Sequence, residues 1–515
     1  MPSSRDVVIE TIAGPVRGEL RPDGVQVFRG IPYAEPPIGP LRFAASVPVE
    51  PWTEPRDATS FGPTVPQGRV PEPFGTIMAP VHLAGEDCLS LNVWAPAARD
   101  DGGRPVLVWI HGGGFLAGSG SDPHYDGSSF ARDGVVCVTF NYRVGALGFL
   151  RVPGVTGSGN AGLLDQVAVL RWVQENIAAF GGDPGLVTIA GESAGAQFIS
   201  ALMAMPAASG LFQRAVMSSG SPRVAVSTST ADEVVLLMAD HLGIDRDDTA
   251  AWQALGTERL LTAQAEVTAI VDGRLPGTPA ELACDAIPTA FRPVYGTAEL
   301  PTRPLEAIRA GAAAGVPCLI GGMGEEFRCL FDDVTLPEEY LRDMVALGFG
   351  AGAEGRPADV DTVIDTYRTH RSAVTNADVV SAVMADWMFG MPSSRLADAQ
   401  AEHAEVYAYR VDWALGRWGA SHTVDIVLAF DTLDTDSART VIGDVDATSV
   451  AAVLHGAWVE FVRTGVPVAE SAPDATSWPR YDTSTRRTLV IDRSTHVEND
   501  PRAAERQLWD VTFLG

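Results

Sequence analysis

Short apolar runs alternate with longer stretches of helical periodicity along most of the chain. Two near-continuous apolar runs, at 106–110 and 135–140, have the pattern of strands that are covered on both faces in a largely parallel sheet. Further strand-like runs lie at 187–190, 214–217, 316–320 and 406–409. Since helical segments separate several of these runs, the order predicts an open α/β sheet flanked by helices.

The clearest helical segment lies between the second and the third of these runs. Its apolar residues Leu163, Val167, Leu170 and Ile177 recur at helical spacing, and the pattern stops at the turn signal 181–184. No linker divides the sequence, so we expect residues 1–515 to form one unit. Three segments look like insertions around the active site. The first, at about 62–85, is a Pro- and Gly-rich loop. The other two, at about 230–290 and 325–400, are helical stretches that build a gorge or lid.

The charge balance limits the partners that this chain can take. The formal net charge is −28, with 65 acidic and 37 basic residues. Such a field repels polyanions, so we expect no nucleic-acid or acidic-membrane partner and a neutral or cationic small-molecule substrate. No apolar run reaches the length of a membrane span, and the first residues lack the features of a signal peptide. We therefore expect a cytoplasmic protein that is a monomer or a weak homo-oligomer.

Candidate chemistry begins with the stretch GESAG. Ser193 lies between Gly191 and Gly195, directly after a β-branched run and before an Ala-rich helical segment. This is the context of a nucleophile elbow, in which glycines are needed because the strand-to-helix turn is crowded. The short pattern also occurs by chance, so the interpretation depends on partners elsewhere in the chain. We expect the neighbouring Glu192 to point away from the site and to make a structural hydrogen bond.

A Gly-rich turn provides candidate donors for an oxyanion. His111 and three glycines follow directly on the apolar run 106–110, and Phe115 comes next. An HGGG turn after a strand supplies backbone N–H groups in α/β-hydrolases. A phosphate-binding loop would have Lys and Ser or Thr after the glycines, which this turn lacks. The N–H of Ala194, the residue after the serine, is the other candidate donor.

Chain order selects the candidate base and acid, because the base of these folds follows the acid and both follow the serine. Histidines lie far beyond Ser193 at His370, His403, His422, His455 and His496. His422 is favoured since it lies in a short Gly- and Ser-containing loop after a strand-like run. Glu325 and Glu326 follow the run 316–320 and are both candidates for the acid. The pattern does not choose between them.

Many further motifs, in order, resemble those of the type-B carboxylesterases, the cholinesterase-like branch of the α/β-hydrolases, and most of all their bacterial p-nitrobenzyl-esterase-type members. These motifs are Gly14-Pro15-Val16-Arg17-Gly18, Phe28-Arg29-Gly30-Ile31-Pro32-Tyr33-Ala34, Pro40-Leu41-Arg42-Phe43, Glu86-Asp87-Cys88-Leu89-Ser90-Leu91-Asn92-Val93, Asn141-Tyr142-Arg143, Gly159-Asn160-Ala161-Gly162-Leu163-Leu164-Asp165-Gln166, Phe180-Gly181-Gly182-Asp183-Pro184 and Trp478-Pro479-Arg480-Tyr481. The resemblance covers nearly the whole chain. It implies an α/β-hydrolase fold with a mostly parallel central sheet.

The resemblance also assigns roles to individual residues. It implies a catalytic triad of Ser193, Glu326 and His422, and an oxyanion hole formed by the N–H groups of Gly113, Gly114 and Ala194. One position departs from the family pattern, because Phe327 stands where a Gly usually follows the acid. Secreted relatives pair the cysteine of the E-D-C-L motif with an upstream cysteine, and no cysteine precedes Cys88 in this sequence.

The implied activity is hydrolysis of a neutral carboxylic ester through an acyl-enzyme, without a cofactor or a metal. Three alternatives stay open at the level of sequence. The same triad serves amidases and carbamate hydrolases, and it also serves transacylases and lipases. A non-catalytic binding protein can also share the fold, since fold does not fix function.

Overall fold

The computed structural model describes residues 5–512, apart from 71, 79–80, 98–102, 274–275, 277, 284, 286–288, 351–358, 372–373, 415, 417 and 470–477. Its strands are β1 Arg5–Glu10, β2 Pro15–Leu20, β3 Val25–Pro32, β4 Arg56–Asp57, β5 Ser90–Pro96, β6 Arg104–Ile110, β7 Val136–Phe140, β8 Gly182–Glu192, β9 Arg214–Ser218, β10 Val226–Ser227, β11 Val294–Tyr295, β12 Cys318–Gly321, β13 Val406–Val411, β14 Thr488–Ile491 and β15 His496–Glu498.

The large sheet has the strand order β1-β2-β3-β5-β7-β6-β8-β9-β12-β13-β14-β15, and β4 pairs with β2 beside this path. Along this order, the strands β7, β6, β8, β9, β12, β13 and β14 are parallel to one another. The pairs outside this block are antiparallel, apart from the parallel pair of β2 and β4. Strands β10 and β11 form a separate two-stranded parallel sheet. The six strand-like runs of the sequence fall on β6, β7, β8, β9, β12 and β13. The predicted mostly parallel α/β sheet is therefore confirmed.

The helices are α1 Phe74–Met78, α2 Ser128–Arg132, α3 Gly145–Phe149, α4 Ala161–Asn176, α5 Ala194–Ala204, α6 Thr228–Leu242, α7 Thr249–Ala254, α8 Thr257–Asp272, α9 Ala280–Ala283, α10 Pro304–Arg309, α11 Glu338–Gly350, α12 Val360–His370, α13 Asn376–Ala385, α14 Met391–Ala401, α15 Val424–Ala429, α16 Asp436–Ile442, α17 Thr448–Thr464 and α18 Ala503–Thr512. A π-helical turn, Asp386–Gly390, joins α13 to α14. The helix predicted from Leu163 to Ile177 corresponds to α4, which is followed by a 3₁₀ turn and a left-handed Gly181.

The predicted insertions differ in how regular they are. The segments 230–290 and 325–400 are mostly helical where they are described, as expected from their periodicity. The segment 62–85 is mainly irregular but carries the short helix α1, so the expectation of a plain loop was wrong for those five residues. Phe74 and Ile77 lie on one side of this turn and pack against apolar neighbours, which outweighs the unfavourable Pro and Gly content around it.

The parallel register brings several strand ends to one edge of the sheet. Ile110 of β6 lies opposite Gly191 of β8, and Glu192 lies opposite Ser218 of β9. Ser218 in turn lies opposite Gly321 at the end of β12. Loops that leave the carboxyl ends of parallel strands meet at such an edge, where ligands bind in open α/β sheets.

Membrane-spanning helices and clusters of metal-ligating side chains are both absent from the described residues. No helix there combines the length and apolar character that a membrane crossing requires. No group of three or more His, Cys, Asp or Glu side chains there is arranged to hold a metal ion.

Candidate active site

Ser193 lies on a strained turn between β8 and α5. Its backbone has φ 55° and ψ −126°, which is left-handed space that few non-glycine residues occupy. A Cβ on Gly191 would lie 2.6 Å from the carbonyl carbon of Gly195, and a Cβ on Gly195 would lie 2.0 Å from the carbonyl oxygen of Ile110. Both glycines are therefore required by the close packing of the turn, as the sequence predicts.

The Gly-rich turn after β6 packs directly against this serine. A Cβ on Gly112 would lie 3.2 Å from Cβ of Ser193. Gly113 and Gly114 have φ values of 118° and 61°, a region that glycine enters without strain. Within the described parts of the chain, neither of their N–H groups donates a hydrogen bond to the backbone. Ala194 is the first residue of α5, so its N–H also has no acceptor within the helix.

Glu326 lies on the turn that follows β12 and is 3% exposed. Its Oε1 accepts hydrogen bonds from Oγ of Ser219 at 2.7 Å and from the N–H of Met323 at 2.9 Å. Its Oε2 lies 2.7 Å from Nδ1 of His422. The neighbouring Glu325 instead forms an exposed ion pair with Arg328 at 2.8 Å. The structure thus brings Glu326, and not Glu325, against the candidate base.

His422 lies between β13 and α15 and is held by both its backbone and its ring. Its N–H donates to the carbonyl of Glu326 at 3.0 Å, so the two turns are joined by more than the side-chain contact. The next residue, Thr423, has φ 73°, which marks a sharp turn into α15. The ring is 5% exposed. Its two nitrogens are therefore available only to the buried groups around it and to a bound substrate.

The second ring nitrogen of His422 contacts an unexpected partner. Nε2 lies 3.1 Å from Oε1 of Glu192. Within the described part of the chain, the Ser193 hydroxyl itself makes no hydrogen bond to His422; such contacts are often loose before substrate binds. The expectation that Glu192 points away from the site was wrong. A strand alternates its side chains from face to face, but the left-handed turn at Ser193 breaks this alternation.

Three buried carboxyl groups surround the one imidazole. Burial raises the pKa of the Glu192 and Asp425 carboxyl groups, and the positive charge of a protonated His422 opposes this effect at both. Burial lowers the pKa of His422, but the charges of Glu192 and Glu326 outweigh that effect and raise it to about 9. Asp425 also accepts a hydrogen bond from Ser218. The cluster therefore favours a positive charge on the imidazole.

Three aromatic rings also lie beside the imidazole. The ring of Phe389 is stacked on it, with centroids 4.9 Å apart and an interplanar angle of 14°. The ring centroid of Phe327 lies 6.3 Å from that of the imidazole, and the ring of Phe74 lies 6.1 Å away at an interplanar angle of 83°. Phe327, which departs from the family pattern, is buried against Phe389 at 5.6 Å. Phe327, at the position where the family usually has Gly, therefore adds an aromatic side chain beside the candidate base.

The other candidate histidines lie away from this cluster. His455 contacts the carbonyl of Ala429 and the carboxylate of Asp133, which fits the buried structural role that its apolar surroundings predict. His403 bonds the carbonyl of Arg309, and His496 lies at an exposed edge strand.

Sequence reasoning missed Ser219 and Asp425. Ser219 follows the predicted strand-like run 214–217 by two residues, and Asp425 follows His422 by three. Closeness to a strand end and to the candidate base was therefore the only hint that the sequence gives for them.

Strand order, the strained serine turn, the Gly-rich turn and the Glu–His contact together define the α/β-hydrolase fold with a serine at its nucleophile elbow. Comparison with known proteins agrees. A model described as "Carboxylesterase family" matches residues 5–509. The para-nitrobenzyl esterase of Bacillus subtilis (strain 168) is 37% identical over 512 residues, which cover 97% of this chain and 98% of that protein. The phenmedipham hydrolase of Pseudarthrobacter oxydans is also 37% identical, over 513 residues that cover 96% and 97% of the two chains.

Solved structures give the same result. A thermophilic para-nitrobenzyl esterase superposes with a TM-score of 0.83 at 34% identity, over 97% of this chain and 99% of the other. A carboxylesterase of Geobacillus stearothermophilus superposes with a TM-score of 0.82 at 36% identity, over 98% and 99%. The chain belongs to the carboxylesterase family, and it is a carboxylic ester hydrolase of the serine type.

Proposed function

We propose that the protein hydrolyses neutral carboxylic esters through an acyl-enzyme on Ser193, with His422 as the base and Glu326 as the acid that orients it. The observation that carries this proposal is the 2.7 Å contact between Glu326 Oε2 and His422 Nδ1, next to the strained turn of Ser193. A carboxylate on Nδ1 fixes the tautomer of the neutral imidazole in which Nε2 carries no hydrogen, and this nitrogen can then accept the proton of Ser193.

In acylation one C–O bond forms and another breaks, and the proton of Ser193 passes through His422 to the leaving alcohol. Nε2 of His422 takes the proton of the Ser193 hydroxyl while Oγ bonds to the ester carbonyl carbon. The imidazolium then gives this proton to the leaving alcohol oxygen, and the C–O bond breaks. A water molecule repeats the sequence on the acyl-enzyme and releases the carboxylic acid. The buried carboxylates of Glu192 and Glu326 stabilise the imidazolium that forms in each half.

The oxyanion of each tetrahedral intermediate needs donors already in place. We assign this role to the N–H groups of Gly113, Gly114 and Ala194. The contact between Gly112 and Ser193 supports the assignment, because it places the Gly-rich turn beside the attacking oxygen. The N-terminus of α5 adds a favourable dipole at the same point.

A neutral ester is the substrate class that the electrostatics support. The chain has a formal charge of −28, and Glu192, Glu326 and Asp425 lie beside the base. The nearby aromatic side chains, including the half-buried Phe74, offer apolar contacts to an acyl or alcohol group. An anionic substrate would be repelled by both the local and the overall field.

The organisation of the chain as one unit also remains part of this proposal. The segments 62–85, 230–290 and 325–400 would surround the site, and Phe74, Phe327 and Phe389 from two of them contact the base.

A small-molecule ester would be the only partner that activity requires. The four described cysteines are unpaired, which supports a cytoplasmic setting. A monomer or weak homo-oligomer remains part of the proposal.

Replacing Ser193 with Ala tests the proposal. We expect kcat for p-nitrophenyl butyrate to fall about 10⁴-fold or more, since the oxyanion donors alone leave little rate. Wild-type enzyme should also prefer this neutral ester to a p-nitrophenyl ester whose acyl chain ends in a carboxylate. Near-normal activity of Ser193→Ala would refute the assigned nucleophile, and a preference for the anionic ester would refute the assigned substrate class.

A further inference from the structure

The helix that runs from α13 into α14 contains a π-helical turn, Asp386–Gly390. Such turns are rare and occur frequently at functional sites. Asp386, Trp387 and Phe389 of this turn are all buried. A Cβ on Gly390 would lie 2.7 Å from Oδ1 of Asp386, so the glycine leaves room for this carboxylate.

Phe389 connects the π-helical turn to the candidate base. Its ring is stacked almost parallel on His422, at a centroid distance of 4.9 Å and an angle of 14°. A ring in this position restricts rotation of the imidazole out of its plane. Its π face also stabilises the cationic form of the imidazole. The ring additionally packs against Phe327, the residue after Glu326.

Asp386 fixes the turn at its other end. The carboxylate is fully buried and accepts a hydrogen bond from the hydroxyl of Tyr367 at 2.8 Å. It also pairs with Arg371 at 2.5 Å and with Arg502 at 3.4 Å. Breaking a buried ion pair by removing one partner leaves an uncompensated charge, so this arrangement resists movement of the turn.

Arg502 reaches beyond Asp386 to the turn that carries the acid. Its Nη2 donates to the carbonyl of Gly324 at 2.7 Å, two residues before Glu326. Arg371, the other partner of Asp386, extends in a different direction and bonds Glu505 of α18 at 2.8 Å. Arg502 is therefore the guanidinium group that joins the acid turn to the π-helical turn.

We propose that Arg502 and Phe389 are positioning residues for the reaction, Arg502 by tying the Glu326 turn to the π-helical turn and Phe389 by setting the plane of His422 from that turn. The inference rests on the proposed function, in which Glu326 and His422 act as a pair. Neither residue reacts with substrate. Both act through the 2.7 Å contact between Glu326 and His422.

Arg502→Gln and Arg371→Gln form a matched pair for the first half of the proposal. Both remove an ion pair from Asp386, but only the first removes the bond to Gly324. We expect Arg502→Gln to lower kcat about 10- to 100-fold with KM nearly unchanged, since a displacement of about 1 Å costs a rate of that size. Arg371→Gln should lower kcat less, by no more than about threefold, because Tyr367 and Arg502 still hold Asp386 and the bond to Gly324 is kept. Arg502→Lys should recover part of the loss.

Equal losses of kcat in the two Gln variants would overturn the role of Arg502, because the shared ion pair would then explain both. Circular dichroism and the thermal midpoint confirm that each variant is folded before its rate is compared. If Arg502→Gln does not fold, Arg502→Lys supplies the comparison. Lysine keeps the positive charge but lacks the two guanidinium nitrogens that contact Asp386 and Gly324. A lysine variant with full kcat would also contradict the proposal.

Phe389→Leu and Phe389→Tyr test the second half. The ionisable groups around His422 are Glu192, Glu326 and Asp425, and they are unchanged in both variants. Loss of the ring should lower kcat and move the acidic limb of the kcat/KM profile to lower pH by about half a pH unit, because the imidazolium loses its π contact. Phe389→Tyr should behave like wild type. Phe212→Leu, buried to a similar degree in the main apolar core, should leave the limb in place.

The role of Phe389 would be overturned if Phe389→Leu has the same kcat as wild type and the same acidic limb in its kcat/KM profile. Active-site labelling of Ser193 in the wild-type enzyme separates this outcome from failure of the proposed function. If Ser193 is labelled and the variants are normal, only the positioning roles are wrong. If Ser193 is not labelled, the proposed function itself is wrong.

Discussion

Glu192 shows how a single residue changes the chemistry of its neighbour. Its carboxylate lies 3.1 Å from Nε2 of His422, the nitrogen that accepts the Ser193 proton in the proposed mechanism. Glu326 holds the opposite nitrogen, so the imidazole lies between two acids. Their charges raise the pKa of His422 to about 9 against the effect of burial. In the proposed mechanism, the pKa of the base is therefore set by Glu192, which is next to the proposed nucleophile in sequence, as well as by Glu326.

Glu192→Gln should move the acidic limb of the kcat/KM profile to lower pH. A His whose pKa is raised is protonated below that pKa, so the neutral base appears only as the pH rises through it. Removing the negative charge of Glu192 lowers the pKa of His422 and releases the base at lower pH. The measurement is the pH profile for p-nitrophenyl butyrate.

Glu325→Gln is the matched control for this change. Glu325 is next to the triad acid in sequence, but its carboxylate faces solvent and pairs with Arg328. We expect its profile to match that of wild type. A Glu192→Gln limb that stays in place or moves to higher pH would show that Glu192 does not act on the base.

The residues of the candidate site differ in how far sequence predicts them. Chain order and local context point to Ser193 and His422, and the structure brings their turns to one edge of the sheet. The pattern cannot separate Glu325 from Glu326, because only their orientation distinguishes them. Glu192 was placed wrongly because strand alternation fails at a left-handed turn. Ser219 was missed because its position just after a predicted strand does not by itself show that its hydroxyl bonds the buried acid.

At the scale of elements, the elbow between β8 and α5 depends on the close approach of β6. A Cβ on Gly195 would lie 2.0 Å from the carbonyl oxygen of Ile110 at the end of β6. Gly195→Ala should therefore force the helix away from the strand, lowering stability by about 1–3 kcal/mol and reducing activity more than stability alone explains. Thermal unfolding and ester kinetics measure the two effects.

Gly456→Ala provides the opposite expectation within the same protein. Gly456 is exposed in α17, and no atom lies within 4 Å of a Cβ built there. We expect this variant to be more stable by about 0.5–1 kcal/mol, because alanine restricts the unfolded chain and favours the helix. A Gly195→Ala enzyme that is as stable and active as wild type would show that the elbow is not constrained by packing.

Elements with a strong apolar pattern were predicted well, and those without one were not. The runs that became β6, β7, β8, β9, β12 and β13 are apolar because helices cover both sheet faces. The short helix α1 could not be seen within a Pro- and Gly-rich segment. The π-helical turn Asp386–Gly390 was equally hidden, since one additional residue per turn leaves the general helical pattern of 325–400 unchanged.

At the scale of the whole molecule, the sheet gathers residues that are far apart in sequence. The turn of Glu326 and the loop of His422 come from strands on one side of β8, and the Gly-rich turn comes from the strand on its other side. The parallel order of these strands was predictable from alternating strand and helix patterns. The packing of the insertions on His422 was not, because it depends on contacts among Phe74, Phe327 and Phe389 that no local pattern specifies.

The central claim is that Ser193 is the one serine that reacts. Treating the enzyme with a sulfonyl fluoride or an organophosphate, and locating the adduct by mass spectrometry after digestion, tests it most directly. We predict one adduct per chain on the peptide that contains Ser193, formed in parallel with the loss of p-nitrophenyl butyrate hydrolysis and absent in Ser193→Ala. An adduct on another residue that accompanies inactivation, or full activity after Ser193 is labelled, would contradict the account.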